Sequence, residues 1–263
     1  MPDNCILSPQ QFAQFCGQSG ASEGLHLLVE RARSRALCPI SQYRVGAVAL
    51  GLSGAVYVGF NMELQGLGLQ HTVHAEQAAV ALAHWRRESA LTQVAVSAPP
   101  CGHCRQFLRE LQTLHPLHIL LPDHVRIPLQ DLLPHSFGPE DLGQHGGMLE
   151  ATAELPEMVG QGARLARAAA LCSWAPYTKT LSGVALRCQD QWFPGSYLEN
   201  AAFNPSLNPM QYALVLARSH GFQLDQVEEI HFWENSSGVS LYPSSLAVAE
   251  VLPGRPGLIR AAH

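Results

Sequence analysis

Along the first half of the chain, hydrophobic and polar positions alternate in two distinct rhythms. In "SEGLHLLVERARSRAL" (22–37), Leu25, Leu28, Val29, Ala32 and Ala36 recur at helical spacing. "YRVGAVAL" and "AVYVGFN" read as two strands joined by a turn region holding Gly51, Ser53 and Gly54. The pattern then predicts a helix over 73–88, a strand at "QVAVSA", a helix over 102–114 and a strand at "LHILLP". The order α-β-β-α-β-α-β predicts a mixed sheet covered by helices on both faces. "LPHSFGPEDLGQHGG" (133–147), rich in Pro, Gly and His, reads as a link to the second half of the chain.

The second half repeats the first. "CPISQYRVGAV" (38–48) aligns with "APYTKTLSGVA" (175–185), sharing a proline and a glycine at matched positions. "GFNMELQG" (59–66) aligns with "GSYLENAA" (195–202), keeping the glutamate, and "HAEQAAVALA" (74–83) with "NPMQYALVLA" (208–217), keeping the glutamine and apolar tail. Three matches in one order indicate an internal duplication. In the second copy the histidine has become Asn208 and the following glutamate Met210, and "HFWENSSGVSLYP" carries no Cys-x-x-Cys. The fold pattern persists there and the reactive side chains do not.

Composition narrows the field. A chain of 263 residues, 47% hydrophobic, is long for one domain and comfortable for two. No run reaches the ~18 apolar residues of a membrane span. "MPDNCILSPQQF" shows no basic region followed by an apolar run, so no signal peptide and a cytosolic address are expected. The seven cysteines are an odd number, and only Cys101 and Cys104 lie close together, which reads as a metal or redox pair. The formal net charge is −5 and Lys179 is the single lysine. Without a dense basic run, a nucleic-acid polymer is disfavoured as a partner and a small neutral substrate is permitted.

Chemistry concentrates at two helix fronts. Cys101 and Cys104, at i and i+3, share one face of a first turn, where the helix N-terminus favours the thiolate. His74 lies in another first turn if that helix begins near Thr72 or Val73. Two sulfurs and an imidazole suit zinc. Three protein ligands leave a fourth position for water, whereas a structural zinc site is closed by four. Glu76, two residues from His74, is placed to take a proton from that water and return it to a leaving group. His71 is the competing imidazole, but only His74 puts Glu76 beside the open position. His103 is expected to point away from the face the cysteines share.

His-x-Glu at 74–76 followed by Pro-Cys-x-x-Cys at 100–104 is the signature of zinc deaminases. With "NMELQGLGLQHTVHAEQAA" and the degenerate second copy, the chain resembles the two-domain, homodimeric bacterial cytidine deaminases, most strongly over 37–110. The resemblance implies an α/β, three-layer α-β-α cytidine-deaminase-like fold, duplicated, with a degenerate second copy. It implies an N-terminal helical segment (1–21), a catalytic domain (22–135), a linker (136–155) and an inactive domain (156–263). The implied reaction is zinc-dependent hydrolysis of cytidine and deoxycytidine to uridine, deoxyuridine and ammonia in pyrimidine salvage, with one zinc per subunit. The family's Asn-x-Glu ribose pair falls on Asn61 and Glu63, and its pocket aromatic, usually phenylalanine, on Tyr43. Phe137 and Phe203 fall in pocket-closing segments, the latter from the partner subunit. The backbone carbonyl of Ala75 or Pro100 is a candidate acceptor for the exocyclic amine. Membrane and nucleic-acid partners are not expected.

Two other readings compete. A deaminase of a free base, a nucleotide or RNA shares the same metal set; Asn61 and Glu63 speak against the base, and the acidic balance against the polymer. A noncatalytic zinc-stabilised protein needs a fourth protein ligand, and the first half offers none by pattern.

Overall fold

The computed structural model describes residues 5–111, 116–150, 162–235 and 238–261. They form two compact units. The first takes the chain up to Glu63, Thr72–Glu150 and the short return Asn200–Pro205; the second takes Leu64–His71, the chain up to Glu199, and the chain from Ser206 on.

In the first unit β1 (Ile6–Leu7) leads into α1 (Pro9–Cys16) and α2 (Gly20–Arg35). Ser8 and Gln11 cap α1 reciprocally: Gln11 N–H donates to Ser8 Oγ and Ser8 N–H to Gln11 Oε1. The hairpin β2 (Gly46–Gly51) and β3 (Val56–Phe60) follows, then α3 (Ala75–Trp85), β4 (Leu91–Val96) and α4 (Gly102–Arg109). β5 (His118–Leu120), β6 (Arg126–Pro128) and the single turn α5 (Leu129–Leu132) complete it. The sheet order is β1-β3-β2-β4-β5-β6, antiparallel except for the β4–β5 pair.

Two glycines fix where the helices lie. Ala47 pairs with Gly59 across β2 and β3, so Gly59 points to one face and Gly46 to the other. A Cβ on Gly46 would stand 2.5 Å from the Val29 carbonyl oxygen of α2, and one on Gly59 2.1 Å from the Ala75 oxygen of α3. The helices therefore press on opposite faces, closer than any side chain would allow. Buried on both sides, β3 is apolar throughout rather than alternating. In α3, Ala75 through His84 are all buried.

The second unit repeats this arrangement with α6 (Gly162–Leu171), β7 (Ser182–Cys188), β8 (Gln191–Ser196), α7 (Pro209–Ser219), β9 (Val227–Glu234), α8 (Tyr242–Val251) and β10 (Leu258–Arg260). Its order, β10-β9-β7-β8, is that of β5-β4-β2-β3, and β9 with β10 is again the parallel pair. A Cβ on Gly183 would meet the Ala166 oxygen of α6 at 2.2 Å, and one on Gly195 the Pro209 oxygen of α7 at 2.1 Å. Even the isolated bridges recur: Leu37–Met62–Val73 in one unit, Trp174–Leu198–Leu207 in the other. The three-layer fold is duplicated, as the internal alignment predicts.

Differences from the expected elements are local. α3 starts at Ala75, so His74 is its N-cap rather than a first-turn residue. α4 runs to Arg109; of the helix expected to 114, residues 112–115 lie outside the described residues. Within the expected linker, Pro139–Leu142 forms a 3-10 turn and Met148 and Leu149 are buried in the first unit. Residues 151–161, at the end of that linker and the start of the expected second domain, lie outside the described residues. Among the described residues no helix is long and apolar enough to cross a membrane.

Candidate metal centre and active site

The caps of two helices meet. His74 is the N-cap of α3 and Cys101 the N-cap of α4, both with extended backbone, while Cys104 sits one turn into α4. Extended caps turn their side chains off the helix ends and toward each other. His74 Nδ1 lies 3.6 Å from Cys101 Sγ and 3.3 Å from Cys104 Sγ, and the two sulfurs are 3.6 Å apart. A tetrahedral zinc with Zn–S of about 2.3 Å and Zn–N of about 2.0 Å needs edges of roughly 3.5 Å between nitrogen and sulfur and roughly 3.8 Å between the sulfurs. The donor set fits zinc in type and size. Among the described residues, the His, Cys, Asp and Glu ligand atoms that converge within 4.8 Å of one another are these three. His71 is not among them, and among the described residues no fourth protein ligand joins.

The protons of the set are arranged for displacement. Hydrogen bonds from Cys104 and His74 pull the Cys101 thiol down to about 3, so Cys101 is a thiolate. Its bond to Cys101 and then burial push Cys104 well up. A dication seated here releases the proton held on the second sulfur, coupling metal affinity to pH.

Glu76 is buried, 3% exposed, and lies beside Cys104 without joining the ligand set. Burial pushes its carboxyl up from the ordinary value. A carboxylate that binds protons more readily than usual, next to a three-ligand metal position, suits proton transfer.

Asn61 and Glu63 are buried just past β3, and both engage the loop 38–45. Glu63 Oε2 accepts from the N–H groups of Ile40 and Ser41 at 2.8 and 3.0 Å, while Ser41 Oγ donates to Oε1. Asn61 Oδ1 accepts from Val45 N–H at 2.8 Å and from the Cys38 thiol, and its Nδ2 donates to the Tyr43 carbonyl. That loop carries Tyr43, which is 62% exposed. Phe137 and Phe203 are also exposed. Gln106 of α4 tethers both of their segments, donating from Nε2 to the Phe137 carbonyl and accepting at its own carbonyl from Asn200 Nδ2. Ala75 is fully buried with its carbonyl turned into the sheet over Gly59, and the Pro100 carbonyl accepts from Arg105 Nε.

Two neighbours of the site escape the sequence pattern. His103, rather than pointing away, stacks its ring on His74 with centroids 4.5 Å apart and planes 19° from parallel. Gln77 reaches back to the His74 main chain. The spacing of His74 and Gln77 is that of an N-cap and N3 pair, a signal available in the sequence. In the second unit the matching position is inert: Asn208 Nδ2 donates to Ser244 Oγ at 3.2 Å and Met210 is buried.

Three ligands with an adjacent buried carboxylate define the class of catalytic zinc sites rather than structural ones. The family described as "Cytidine and deoxycytidylate deaminase zinc-binding region" matches residues 21–115 and, in a second form, 129–243. The cytidine deaminase of Vibrio atlanticus (strain LGP32) is 42% identical over 244 residues, spanning 89% of this chain and 81% of the relative. That of Vibrio cholerae serotype O1 (strain M66-2) is 38% identical over 259 residues, spanning 95% and 86%. The solved cytidine deaminase from Mycobacterium tuberculosis is 35% identical with a TM-score of 0.40, covering 44% of this chain and 96% of its own. The chain belongs to the cytidine deaminase family, and the cofactor of that family's binding region is zinc.

Proposed function

We propose that the chain hydrolyses cytidine and deoxycytidine to uridine, deoxyuridine and ammonia. The observation that carries this is the convergence of His74, Cys101 and Cys104 with Glu76 buried beside them. Bound to that set, zinc supplies a water acidic enough to act as hydroxide near neutral pH. Glu76 takes one proton from the attacking water and delivers it to ring nitrogen 3, then takes the proton that remains on the added oxygen and passes it to the departing amine. The oxygen of that water would end on carbon 4 in place of the amine, the carbon–nitrogen bond breaking as ammonia leaves. Asn61 and Glu63 hold the ribose hydroxyls, from side chains that also brace the loop 38–45. Tyr43, Phe137 and Phe203 enclose the base.

The first unit is the catalytic domain and the second its inactive duplicate. Their chain works as a homodimer in pyrimidine salvage in the cytosol, with the pocket closed by the partner subunit. The exposure of all three aromatic rings supports that closure, and the free thiols of the ligand set support a reducing compartment.

The test is direct. Purified protein mixed with cytidine should lose the ultraviolet band of cytosine and release one ammonia per uridine formed. Glu76→Gln should keep its zinc and lose roughly 10²–10⁴-fold in turnover. Near-normal turnover in that variant would end the proposal.

A further inference from the structure

The main chain at His74 is held by a device that the second half of the molecule has kept only in part. Gln77 is buried, 2% exposed, and both ends of its amide are bonded. Its Oε1 accepts from the His74 N–H at 3.0 Å, and its Nε2 donates to the Pro205 carbonyl at 2.9 Å. A proline carbonyl can only accept, so the amide has one orientation, with oxygen toward His74. An N–H bond at the cap pins the peptide that precedes the His74 Cα, at φ −82° and ψ 153°. That backbone setting aims the imidazole at the two sulfurs.

The duplicate supplies an internal comparison. Gln211 occupies the matching position of α7, also buried, and its Nε2 donates to the His71 carbonyl at 3.1 Å. Its Oε1, however, is buried with no hydrogen-bond partner. The cap there is Asn208, whose side chain turns to Ser244, and no metal set exists among the described residues of that unit. The donor half of the glutamine belongs to the fold and occurs in both units. The acceptor half occurs where there is a ligand to aim.

We infer that Gln77 is a positioning residue of the metal centre, its Oε1 fixing His74 for the ion while its Nε2 serves packing. This rests on the reading of His74 as a zinc ligand. Groups that orient a first ligand without touching the metal commonly govern metal affinity by about 10–100-fold.

The experiment uses full-length, zinc-loaded protein and follows zinc release to a chromogenic chelator, with the visible spectrum of the cobalt-substituted form as a geometric readout. Gln77→Met loses both bonds; Gln77→Glu keeps an acceptor and loses the donor; Gln211→Met loses the donor in the second unit. Gln77→Met should release zinc roughly tenfold faster or more and shift the cobalt d–d bands. Gln77→Glu and Gln211→Met should melt earlier but hold metal within about threefold of the parent, with parental bands. If Gln77→Met matches the parent in release and spectrum, or Gln77→Glu loses zinc as fast as Gln77→Met, the inference is overturned. Should Gln77→Met not fold, Gln77→Glu against the parent decides alone, fast release counting against it. His74→Ala separates the underlying reading: full zinc occupancy in that variant removes His74 as a ligand whatever Gln77 does.

Discussion

The proposed function gives Glu63 a second job beside holding its turn, and the duplicate offers a way to separate the two. In the second unit Glu199 Oε2 accepts from the N–H groups of Tyr177 and Thr178, as Glu63 does from Ile40 and Ser41. Holding this turn therefore belongs to the fold and not to catalysis. A glutamine there keeps one oxygen to accept from both N–H groups but is neutral, and a hydrogen bond to a charged group is worth about 1.5–3 kcal/mol against about 1 kcal/mol for a neutral one. Glu63→Gln and Glu199→Gln should both lower the melting temperature, but only Glu63→Gln should raise KM for cytidine. An equal KM in the two variants would reduce Glu63 to a turn residue. The carboxyl also sets an acid limit. Burial opposes its ionisation, yet the donors from the Ser41 side chain and from the Ser41 and Ile40 backbone outweigh burial and hold it below the usual value. A depressed folded pKa gives stability that is present above the unfolded value and lost as pH falls through the folded one. The difference in melting temperature between parent and Glu63→Gln should shrink below about pH 4, as a pH series of thermal melts would show. The residue scale was partly legible. The convergence of His74, Cys101 and Cys104 followed from residue type and spacing, which local helix geometry enforces. The bonds of Asn61, the stack of His103 and the clasp of Gln77 on Pro205 were not, because they join positions that no periodicity relates.

Among the elements, the long ones with a repeating apolar face were readable: α2, α3, β2, β3 and β4 lie within a few residues of their expected places. The short ones were not. β1 has two residues, β6 three and α5 four, too few to display a period, and pairing with a neighbour defines them. What the elements do for the site depends on closeness. α3 carries His74 and Glu76 and rests directly on Gly59, where an added methyl would strike helix backbone rather than a yielding side chain. Gly59→Ala must therefore move α3, costing about 1–3 kcal/mol as overpacking and displacing both residues. Gly195→Ala meets the same obstacle under α7, which carries no reactive group. Both variants should melt at lower temperature by similar amounts. Zinc content and turnover should fall in Gly59→Ala and persist in Gly195→Ala. Equal turnover in the two would mean that α3 is free to adjust without disturbing the site.

For the molecule as a whole, the open question is what covers the aromatic rings around the proposed pocket. Tyr43 is 62%, Phe203 57% and Phe137 46% exposed, and each sits on a loop firmly bonded to the first unit. Phe203 holds this position at a φ of +60°, a setting seldom adopted by a bulky residue unless something is gained from it. Rigidly presented aromatic rings are what an interface core uses, since little side-chain entropy is lost when they are covered. Under the proposed function a second copy of the chain covers these residues and completes the nucleoside pocket. Light scattering on the eluted protein should then give twice the chain mass. Phe203→Asp, which puts a charge where a ring would be covered, should shift the population toward monomer and reduce kcat/KM, with zinc content unchanged. Zinc is held wholly within one chain in this scheme, so dissociation should separate activity from metal binding. A monomeric parent with full activity, or a monomeric Phe203→Asp that turns over cytidine normally, would show that each chain closes its own pocket.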